Sequence, residues 1–327
     1  MNGNGKIAVV GAGAWGTALA CVMSRTGSRV ALWGRERAVI EEIEQTRRNS
    51  RYLGAIALDS GFEASVDIAS VLAGADIVLL VVPAQTVGSV AGLLKSALPG
   101  DATLVCCAKG IDRESGLLPV QTLSAMLPQA ELAALSGPSF ASDVARGLPT
   151  AITVAAENIA LANKLAARLS SARFRCYASD DLPGVELGGA LKNVLALAVG
   201  AARGMQLGAS AEAALIARGF AEMMRLARAM GGRPETLAGL SGLGDLVLTC
   251  SGSQSRNFAY GVAMATGADL SAMPLAEGAF TARIASSIAA REKIAMPVTQ
   301  AVADVLDGTI TAQQAVMSLL ERPLKPE

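Results

Sequence analysis

Short apolar runs, separated by polar, glycine and proline residues, fill the first 180 residues of the chain and predict β-strands. Residues 75–83 form the longest of these runs, and continuous apolar runs are typical of central parallel strands covered on both faces. Helix-like segments at residues 17–25 and 85–97 lie between strands, which predicts an α/β domain. The predicted strands are residues 6–10, 28–33, 75–83, 103–108, 132–135, 150–154 and 174–177.

The pattern changes after residue 180, where apolar positions recur with helical spacing and no further strand is predicted. Glycine- and proline-rich breaks at residues 231–234, 241–244 and 296–297 separate these segments. We therefore predict two domains, an α/β domain at residues 1–180 and an all-α domain at residues 181–327. The predicted helices are residues 184–204, 209–230, 256–265, 280–292, 298–306 and 311–321.

The first predicted strand runs directly into Gly11-Ala-Gly-Ala-Trp-Gly16, which opens a helix. In a strand–G-x-G-x-x-G–helix unit, Gly11 would allow the tight turn, Gly13 the approach of a pyrophosphate, and Gly16 close packing of helix on strand. Free N–H groups at the helix start favour the phosphates. The motif predicts a Rossmann-type, doubly wound domain that binds a dinucleotide; the alternative is a glycine-rich turn without function.

The residues after the second strand bear on the choice of cofactor. In this fold an acidic residue here favours NAD, whereas an arginine accommodates the 2′-phosphate of NADP. The chain reads Gly34-Arg35-Glu36-Arg37, so the two arginines favour NADP(H), and Glu36 keeps NAD(H) possible. The alternative is that both arginines are merely solvated.

Residues 185–200 form a long apolar segment with a single basic residue, Lys192, near its middle, and we interpret the segment as a buried helix. A buried ammonium group is costly unless something compensates for it. Helical side chains lean towards positions i−3 and i−4, here Gly189 and Gly188, so we expect Lys192 to point into a gap that a small ligand fills. The alternative is that Lys192 reaches solvent or pairs with a carboxylate such as Glu186.

The chain contains no histidine, so the side chain that most often transfers protons in enzymes is missing, and lysine, tyrosine, cysteine and carboxylates remain. The five cysteines are scattered without C-x-x-C spacing, and no metal site is predicted. We interpret them as reduced thiols of a cytoplasmic protein.

Charge and composition argue against two classes of partner. Basic and acidic residues cancel at 28 each, and aromatic residues make up 3% of the chain, so no nucleic-acid partner is expected. The N-terminus lacks a basic region followed by a long apolar one, which predicts no signal peptide. No run reaches about 18 uninterrupted apolar residues, so no membrane anchoring is expected.

Several loops carry groups that suit a phosphorylated small molecule. Lys109 follows a buried strand, at the edge where open α/β sheets bind ligands. Ser139 follows a Gly-Pro turn and is expected to cap a helix, and Asp245 follows a glycine-rich turn. Residues 249–257 collect hydroxyl groups and Arg256 at a helix start, which favours a phosphate site; an ordinary serine-rich capping loop is the alternative.

Together, these motifs resemble bacterial-type NAD(P)-dependent glycerol-3-phosphate dehydrogenase over nearly the whole chain. Their order and spacing carry the resemblance, since several of them are common individually. The matching segments are Gly11-Ala-Gly-Ala-Trp-Gly-Thr-Ala-Leu-Ala20, Asn49 with Tyr52-Leu53, Val82-Pro83, Lys109-Gly-Ile111, Gly137-Pro-Ser-Phe-Ala141, Glu186 with Ala190-Leu-Lys-Asn193, Gly242-Leu-Gly-Asp-Leu246, Ser255-Arg-Asn257 and Glu277-Gly278.

The resemblance implies reversible reduction of dihydroxyacetone phosphate to sn-glycerol 3-phosphate with NAD(P)H, feeding glycerophospholipid synthesis, with Lys192 as the catalytic lysine. It also implies a cytoplasmic homodimer. The implied substrate contacts are Lys109, Gly137, Ser139, Lys192, Asp245, Ser255, Arg256 and Asn257. The expected cofactor contacts, from the motif and the resemblance together, are Gly11, Gly13, Ala14, Trp15, Gly16, Arg35, Lys109, Ala141, Arg256 and Glu277.

The chain departs from the family pattern at two points. Tyr52-Leu-Gly-Ala55, in a polar stretch interpreted as a loop from residue 49, replaces the usual Tyr-Leu-Pro-Gly. Ala14 stands where members often carry a hydroxyl residue, so one side-chain contact to the cofactor phosphates is expected to be missing. Two alternative functions remain: a dehydrogenase of a 3-hydroxy acid or sugar acid, and an NADPH-binding sensor without catalysis.

Overall fold

The computed structural model describes residues 5–273 and 276–321, so the extreme ends of the two predicted domains and residues 274–275 lie outside the description. Eight strands form one sheet in the order β3-β2-β1-β4-β5-β6-β7-β8, and all neighbours are parallel except β6 and β7. The strands are β1 (Lys6–Val10), β2 (Arg29–Trp33), β3 (Phe62–Ser65), β4 (Ala75–Leu80), β5 (Thr103–Cys106), β6 (Glu131–Ser136), β7 (Thr150–Ala155) and β8 (Phe174–Ser179).

Helices cover both faces of this sheet, and the remaining helices form a second, all-helical half. The first set is α1 (Ala14–Ser24), α2 (Arg37–Thr46), α3 (Ser50–Leu53), α4 (Ile68–Leu72), α5 (Val87–Leu94), α6 (Pro119–Met126), α7 (Ala141–Ala145) and α8 (Ile159–Leu169). The second set is α9 (Leu182–Gly204), α10 (Ala209–Ala229), α11 (Pro234–Leu237), α12 (Asp245–Cys250), α13 (Arg256–Thr266), α14 (Glu277–Arg291), α15 (Pro297–Leu306) and α16 (Ala312–Leu320).

This architecture confirms the predicted Rossmann-type doubly wound sheet followed by an all-α half. Two local predictions are wrong. Residues 50–53 form the helical turn α3 rather than a loop, and Asn49 before it is fully buried. Ser139 does not cap α7: the residue before that helix is Phe140, and the Ser139 hydroxyl donates to the Gly137 carbonyl instead. The domain boundary at residue 180 stays a prediction.

Helix α9 is the centre of the helical half. The Asp181 side chain caps it by accepting a hydrogen bond from the Gly184 N–H (2.9 Å), and Pro183 lies in its first turn. Helices α10, α12, α13 and α14 pack around it. By length and composition alone α9 could cross a membrane, but 94% of its most apolar window is buried inside the protein, so its apolar surface is already covered.

Glu186 on α9 is a buried carboxyl group whose Oε1 accepts a hydrogen bond from the Val120 N–H (2.9 Å) at the start of α6. Burial raises the pKa of Glu186 from its ordinary 4.5 to about 8. Between these two values the folded protein keeps the proton that the unfolded chain has released. The free energy of unfolding therefore falls as the pH rises through this window.

The variant Glu186→Gln is expected to abolish this pH dependence, because the amide oxygen can accept the same hydrogen bond and does not titrate. Relative to the variant, the wild type should lose about 2–5 kcal/mol of unfolding free energy between pH 5 and pH 8. Urea unfolding at pH 5 and pH 8 measures the free energy of unfolding of both proteins. The control is Glu63→Gln, which replaces an exposed glutamate. Parallel curves for wild type and Glu186→Gln would contradict the raised pKa.

Candidate active site

The glycine-rich loop between β1 and α1 has the geometry that its sequence predicts. Gly11 has φ +124°, and a Cβ there would lie 2.2 Å from the Val81 carbonyl oxygen. A Cβ at Gly16 would lie 1.8 Å from the Gly11 carbonyl oxygen, so only glycine lets α1 approach the strand this closely. At Gly13, by contrast, a Cβ would meet no atom within 4 Å, which leaves open space beside the loop.

The N-terminus of α1 suits an anionic group. No side chain caps this helix, and its first turn, which begins with Ala14 and Trp15, contains no acidic residue. The indole Nε1 of Trp15 is buried without a hydrogen-bond partner in the described part of the chain. Ala141 begins α7, which packs against α1, so this expected cofactor contact lies on the helix next to the loop.

Asn49 supports the same loop and was missed as a site residue. Its Nδ2 donates to the Ala12 carbonyl (3.0 Å) and to the Thr17 hydroxyl (2.8 Å), while its Oδ1 is buried without a partner in residues 5–273 and 276–321. The asparagine thereby holds the loop backbone from a segment more than 30 residues further along the chain. Its position in a polar stretch without periodicity gave no signal of burial.

Lys192 and Lys109 share one buried carboxylate. Lys192 Nζ donates to Asp245 Oδ1 (2.5 Å), and Lys109 Nζ donates to Asp245 Oδ2 (2.7 Å) and to the Gly137 carbonyl (3.1 Å). The side chain of Asp245 is only 1% exposed. Four expected substrate contacts, Lys109, Gly137, Lys192 and Asp245, thus meet at the carboxyl ends of β5 and β6, and Ser139, bonded to the same carbonyl, lies beside them.

Burial lowers the pKa of Lys192 to about 8; the Asp245 carboxylate opposes this shift, and the Lys109 ammonium adds to it. An amine with this pKa exists in both protonation states near neutral pH. It can therefore act as a proton donor and, once neutral, as a base.

Two expectations about the surroundings of Lys192 are wrong. No ligand-sized gap lies over the glycines: a Cβ at Gly188 would lie 2.5 Å from the Ser241 carbonyl oxygen, and one at Gly189 would lie 2.6 Å from the Ser136 hydroxyl. The glycines instead admit protein groups, including the π-helical turn Leu240–Gly244 before Asp245. Lys192 also does not reach solvent, since it is only 7% exposed, whereas the alternative of a carboxylate partner is confirmed, with Asp245 in place of Glu186.

Thr249 belongs to the same network and was not among the predicted site residues. Its hydroxyl accepts a hydrogen bond from Lys192 Nζ (2.7 Å) and donates to Asp245 Oδ1 at 3.3 Å. Asp245 and Thr249 are four residues apart on α12, so they share one face of that helix. This i, i+4 spacing from Asp245 was the feature of the sequence from which Thr249 could have been predicted as a site residue.

The N-terminus of α13 carries the predicted phosphate-binding residues. The Ser255 hydroxyl caps the helix by accepting from the Phe258 N–H, and Arg256 is exposed at the first position. The Asn257 amide donates to Asn193 (2.9 Å), the residue after Lys192, and its oxygen accepts from the Gly278 N–H (2.9 Å). Asn257 thus joins α13 to α9 and α14.

Glu277, the first residue of α14, lies near the neighbour of Lys109 in the chain and near the segment after β4. Its Oε1 accepts from the Ala84 N–H (3.2 Å) after β4, and its Oε2 is buried without a partner in the described residues. A Cβ at Gly110, the neighbour of Lys109, would lie 3.3 Å from this Oε2. Burial raises the pKa of Glu277. An unpartnered polar atom here fits a ligand group between the two halves.

Arg35 lies apart from this cluster, at the loop after β2. It is exposed, and no hydrogen bond or ion pair engages it within the described residues. The carboxylate of neighbouring Glu36 pairs with Arg51 on α3. The predicted site residues therefore occupy four places. These are the cluster of two lysines around Asp245, the N-terminus of α13, the glycine-rich loop before α1, and the loop after β2 that carries Arg35.

Comparison with known proteins gives a consistent result. Models of the N-terminal and C-terminal parts of NAD-dependent glycerol-3-phosphate dehydrogenase match residues 6–162 and 181–317. An NAD(P)+ glycerol-3-phosphate dehydrogenase of Brucella canis is 54% identical over 322 residues, covering 98% of this chain and 99% of that protein. A relative of the same name from Mesorhizobium japonicum is 55% identical over 98% of this chain and 94% of its own length.

The solved structures agree with these relatives. The glycerol-3-phosphate dehydrogenase of Coxiella burnetii superposes with a TM-score of 0.92 at 39% identity, covering 98% of this chain and 99% of that one. The match to a ketopantoate reductase of Ralstonia eutropha covers 95% of this chain and 99% of that one. Its TM-score is only 0.63 at 21% identity, so that protein shares the fold alone. The chain therefore belongs to the NAD(P)-dependent glycerol-3-phosphate dehydrogenase family.

Proposed function

We propose that this protein catalyses the reversible, NAD(P)H-dependent reduction of dihydroxyacetone phosphate to sn-glycerol 3-phosphate. The observation that carries the proposal is the buried Lys192–Asp245–Lys109 cluster, in which Lys192 has a pKa of about 8. The nicotinamide, when bound, exchanges a hydride with C2 of the substrate. The surrounding protein supplies the proton and holds the phosphate.

Lys192 acts on the oxygen at C2. In reduction, its ammonium donates a hydrogen bond and then a proton to the oxygen, where negative charge develops. In oxidation, the neutral amine removes that proton. Asp245 and Thr249 hold Nζ in place, since both bond to it directly.

The substrate phosphate binds at the start of α13. The helix N-terminus, the Ser255 hydroxyl and the Arg256 guanidinium favour a dianion there. Lys109, Gly137 and Ser139 lie on the other side of Asp245 and orient the three-carbon chain. The amide of Asn257 acts mainly by fixing α13 beside Lys192, because its polar atoms already bond to protein.

The cofactor binds along the sheet edge. Gly13 and the start of α1 would hold its pyrophosphate, with Trp15 and Ala141 beside it, and Glu277 would contact its nicotinamide end. NADP(H) is preferred because Arg35 is available for the 2′-phosphate. Residues 1–180 form the cofactor domain and residues 181–327 the substrate domain, in a homodimer that works in the cytoplasm without a membrane anchor and supplies phospholipid synthesis.

A spectrophotometric assay tests the proposal. Purified protein with dihydroxyacetone phosphate should oxidise NADPH, and more slowly NADH, with the loss of absorbance at the nicotinamide band. Ketopantoate, a 3-keto acid and a sugar-acid analogue serve as alternative substrates, and no turnover is expected with them. Turnover of a keto acid alone would favour a hydroxy-acid dehydrogenase. Cofactor binding without turnover of any substrate would favour a sensor.

A further inference from the structure

Glu36 occupies the position at which this fold chooses between NAD and NADP. It lies three residues after β2 and 20 residues after Gly16, where a carboxylate normally accepts a hydrogen bond from the adenosine 2′-hydroxyl. The same carboxylate would repel a 2′-phosphate. The sequence therefore places a feature typical of NAD enzymes between Arg35 and Arg37, two residues that favour NADP.

The structure shows that this carboxylate is already engaged. Arg51 Nη1 donates to Glu36 Oε2, with the side chains 60% and 36% exposed. Glu36 precedes α2, but its side chain accepts no hydrogen bond from that helix, so its hydrogen bond goes to the arginine. Arg35 stays unengaged within the described residues.

The short helix that carries Arg51 is held in place from two sides. The buried amide of Asn49 binds the glycine-rich loop through Ala12 and Thr17, and the N–H of Ser50 donates to Glu42 on α2 (3.1 Å). The guanidinium of Arg51 also lies 5.3 Å from the centre of the Tyr52 ring. Arg51 is thus positioned before any cofactor binds.

We propose that Arg51 determines the cofactor selectivity of this enzyme by neutralising Glu36. With the ion pair intact, the 2′-phosphate meets no net negative charge and Arg35 can bind it. Without Arg51, the free carboxylate repels the 2′-phosphate of NADPH and accepts hydrogen bonds from the ribose hydroxyl groups of NADH. The inference rests on the proposed use of NADP(H), and it makes Arg51 a positioning residue that acts through Glu36.

Cofactor binding in the absence of substrate tests the proposal through Kd values for NADPH and NADH, measured from their fluorescence. Arg51→Ala should weaken NADPH binding about tenfold, because one uncompensated charge now faces the phosphate, and leave NADH binding unchanged or tighter. Glu36→Gln in the Arg51→Ala background should restore NADPH binding to within about threefold of wild type, because no charge remains to be neutralised. Glu36→Gln alone should bind NADPH at least as tightly as wild type, because it leaves the positive charge of Arg51 unpaired.

Arg48→Ala is the matched control, because it removes an exposed positive charge three residues before Arg51. The ratio of its Kd for NADPH to its Kd for NADH should equal that of the wild type. Equal weakening of both cofactors by Arg51→Ala, or no change in either, would overturn the proposal. Failure of Glu36→Gln to rescue Arg51→Ala would also overturn it, since Arg51 would then contact the phosphate directly. If the wild type binds neither cofactor, the proposed function itself fails. This outcome differs from failure of the Arg51 proposal, in which the wild type binds NADPH but the ratio of the two Kd values does not change in Arg51→Ala.

Discussion

Replacing Lys192 with alanine is expected to lower kcat for reduction of dihydroxyacetone phosphate by about 10²–10⁴-fold, the usual loss for a positioned proton donor. The chain has no histidine to take over the role, and the neighbouring ammonium, Lys109, is held by Asp245 and Gly137. The Kd for NADPH should change little, because Lys192 lies on α9 and not on the glycine-rich loop. Steady-state kinetics measure kcat, and the fluorescence of NADPH measures its Kd.

Two variants sharpen this test. Lys164→Ala removes an exposed lysine from α8 and should retain full activity. Lys192→Arg keeps a positive charge but neither releases a proton to the substrate oxygen nor acts as a neutral base, so it should lower the rates of both reduction and oxidation. Asp245 stays paired with Lys109 in Lys192→Ala, so the variant is expected to fold, and circular dichroism verifies this. A folded Lys192→Ala protein with more than a tenth of wild-type kcat would exclude Lys192 as the proton donor.

The local parts of this site could be predicted from sequence because each depends on residues that are close in the chain. The turn at Gly11, the packing at Gly16 and the start of α13 at Ser255 follow from motifs of a few residues. The fold follows from the same kind of information, since each apolar run specifies one strand or helix. Among the strands the exception is β3, a short edge strand that includes polar residues and lacks a continuous apolar run.

The partners of the charged side chains could not be predicted, because they come from distant segments. Glu186 was the nearest acidic candidate for Lys192 in sequence, but six residues along an α-helix amount to a rotation of about 240°, which directs the two side chains to different sides. The actual partner, Asp245, lies 53 residues further on. The space over Gly188 is filled by the same segment, so the expectation of a ligand there failed for the same reason.

Asp245 is expected to set the pH range of the reaction as well as the position of Lys192. Its negative charge raises the pKa of Lys192 against the effect of burial, giving a value of about 8. Reduction needs the ammonium form, so its rate should fall as the pH rises through about 8. Oxidation needs the neutral amine, so its rate should rise over the same interval.

Replacing Asp245 with asparagine removes that charge and leaves Lys109 to repel Lys192, so the pKa of Lys192 should fall by about 1–3 units. At pH 8, where half of the wild-type Lys192 is protonated, the rate of reduction should then drop by about 5–500-fold, and both pH profiles should move to lower pH. Exposed Asp101→Asn is the control and should leave the profiles unchanged. A slower Asp245→Asn enzyme with the wild-type pH midpoints would mean that Asp245 orients substrate without tuning Lys192. Because asparagine nearly matches aspartate in shape, a moved midpoint instead identifies charge as the cause.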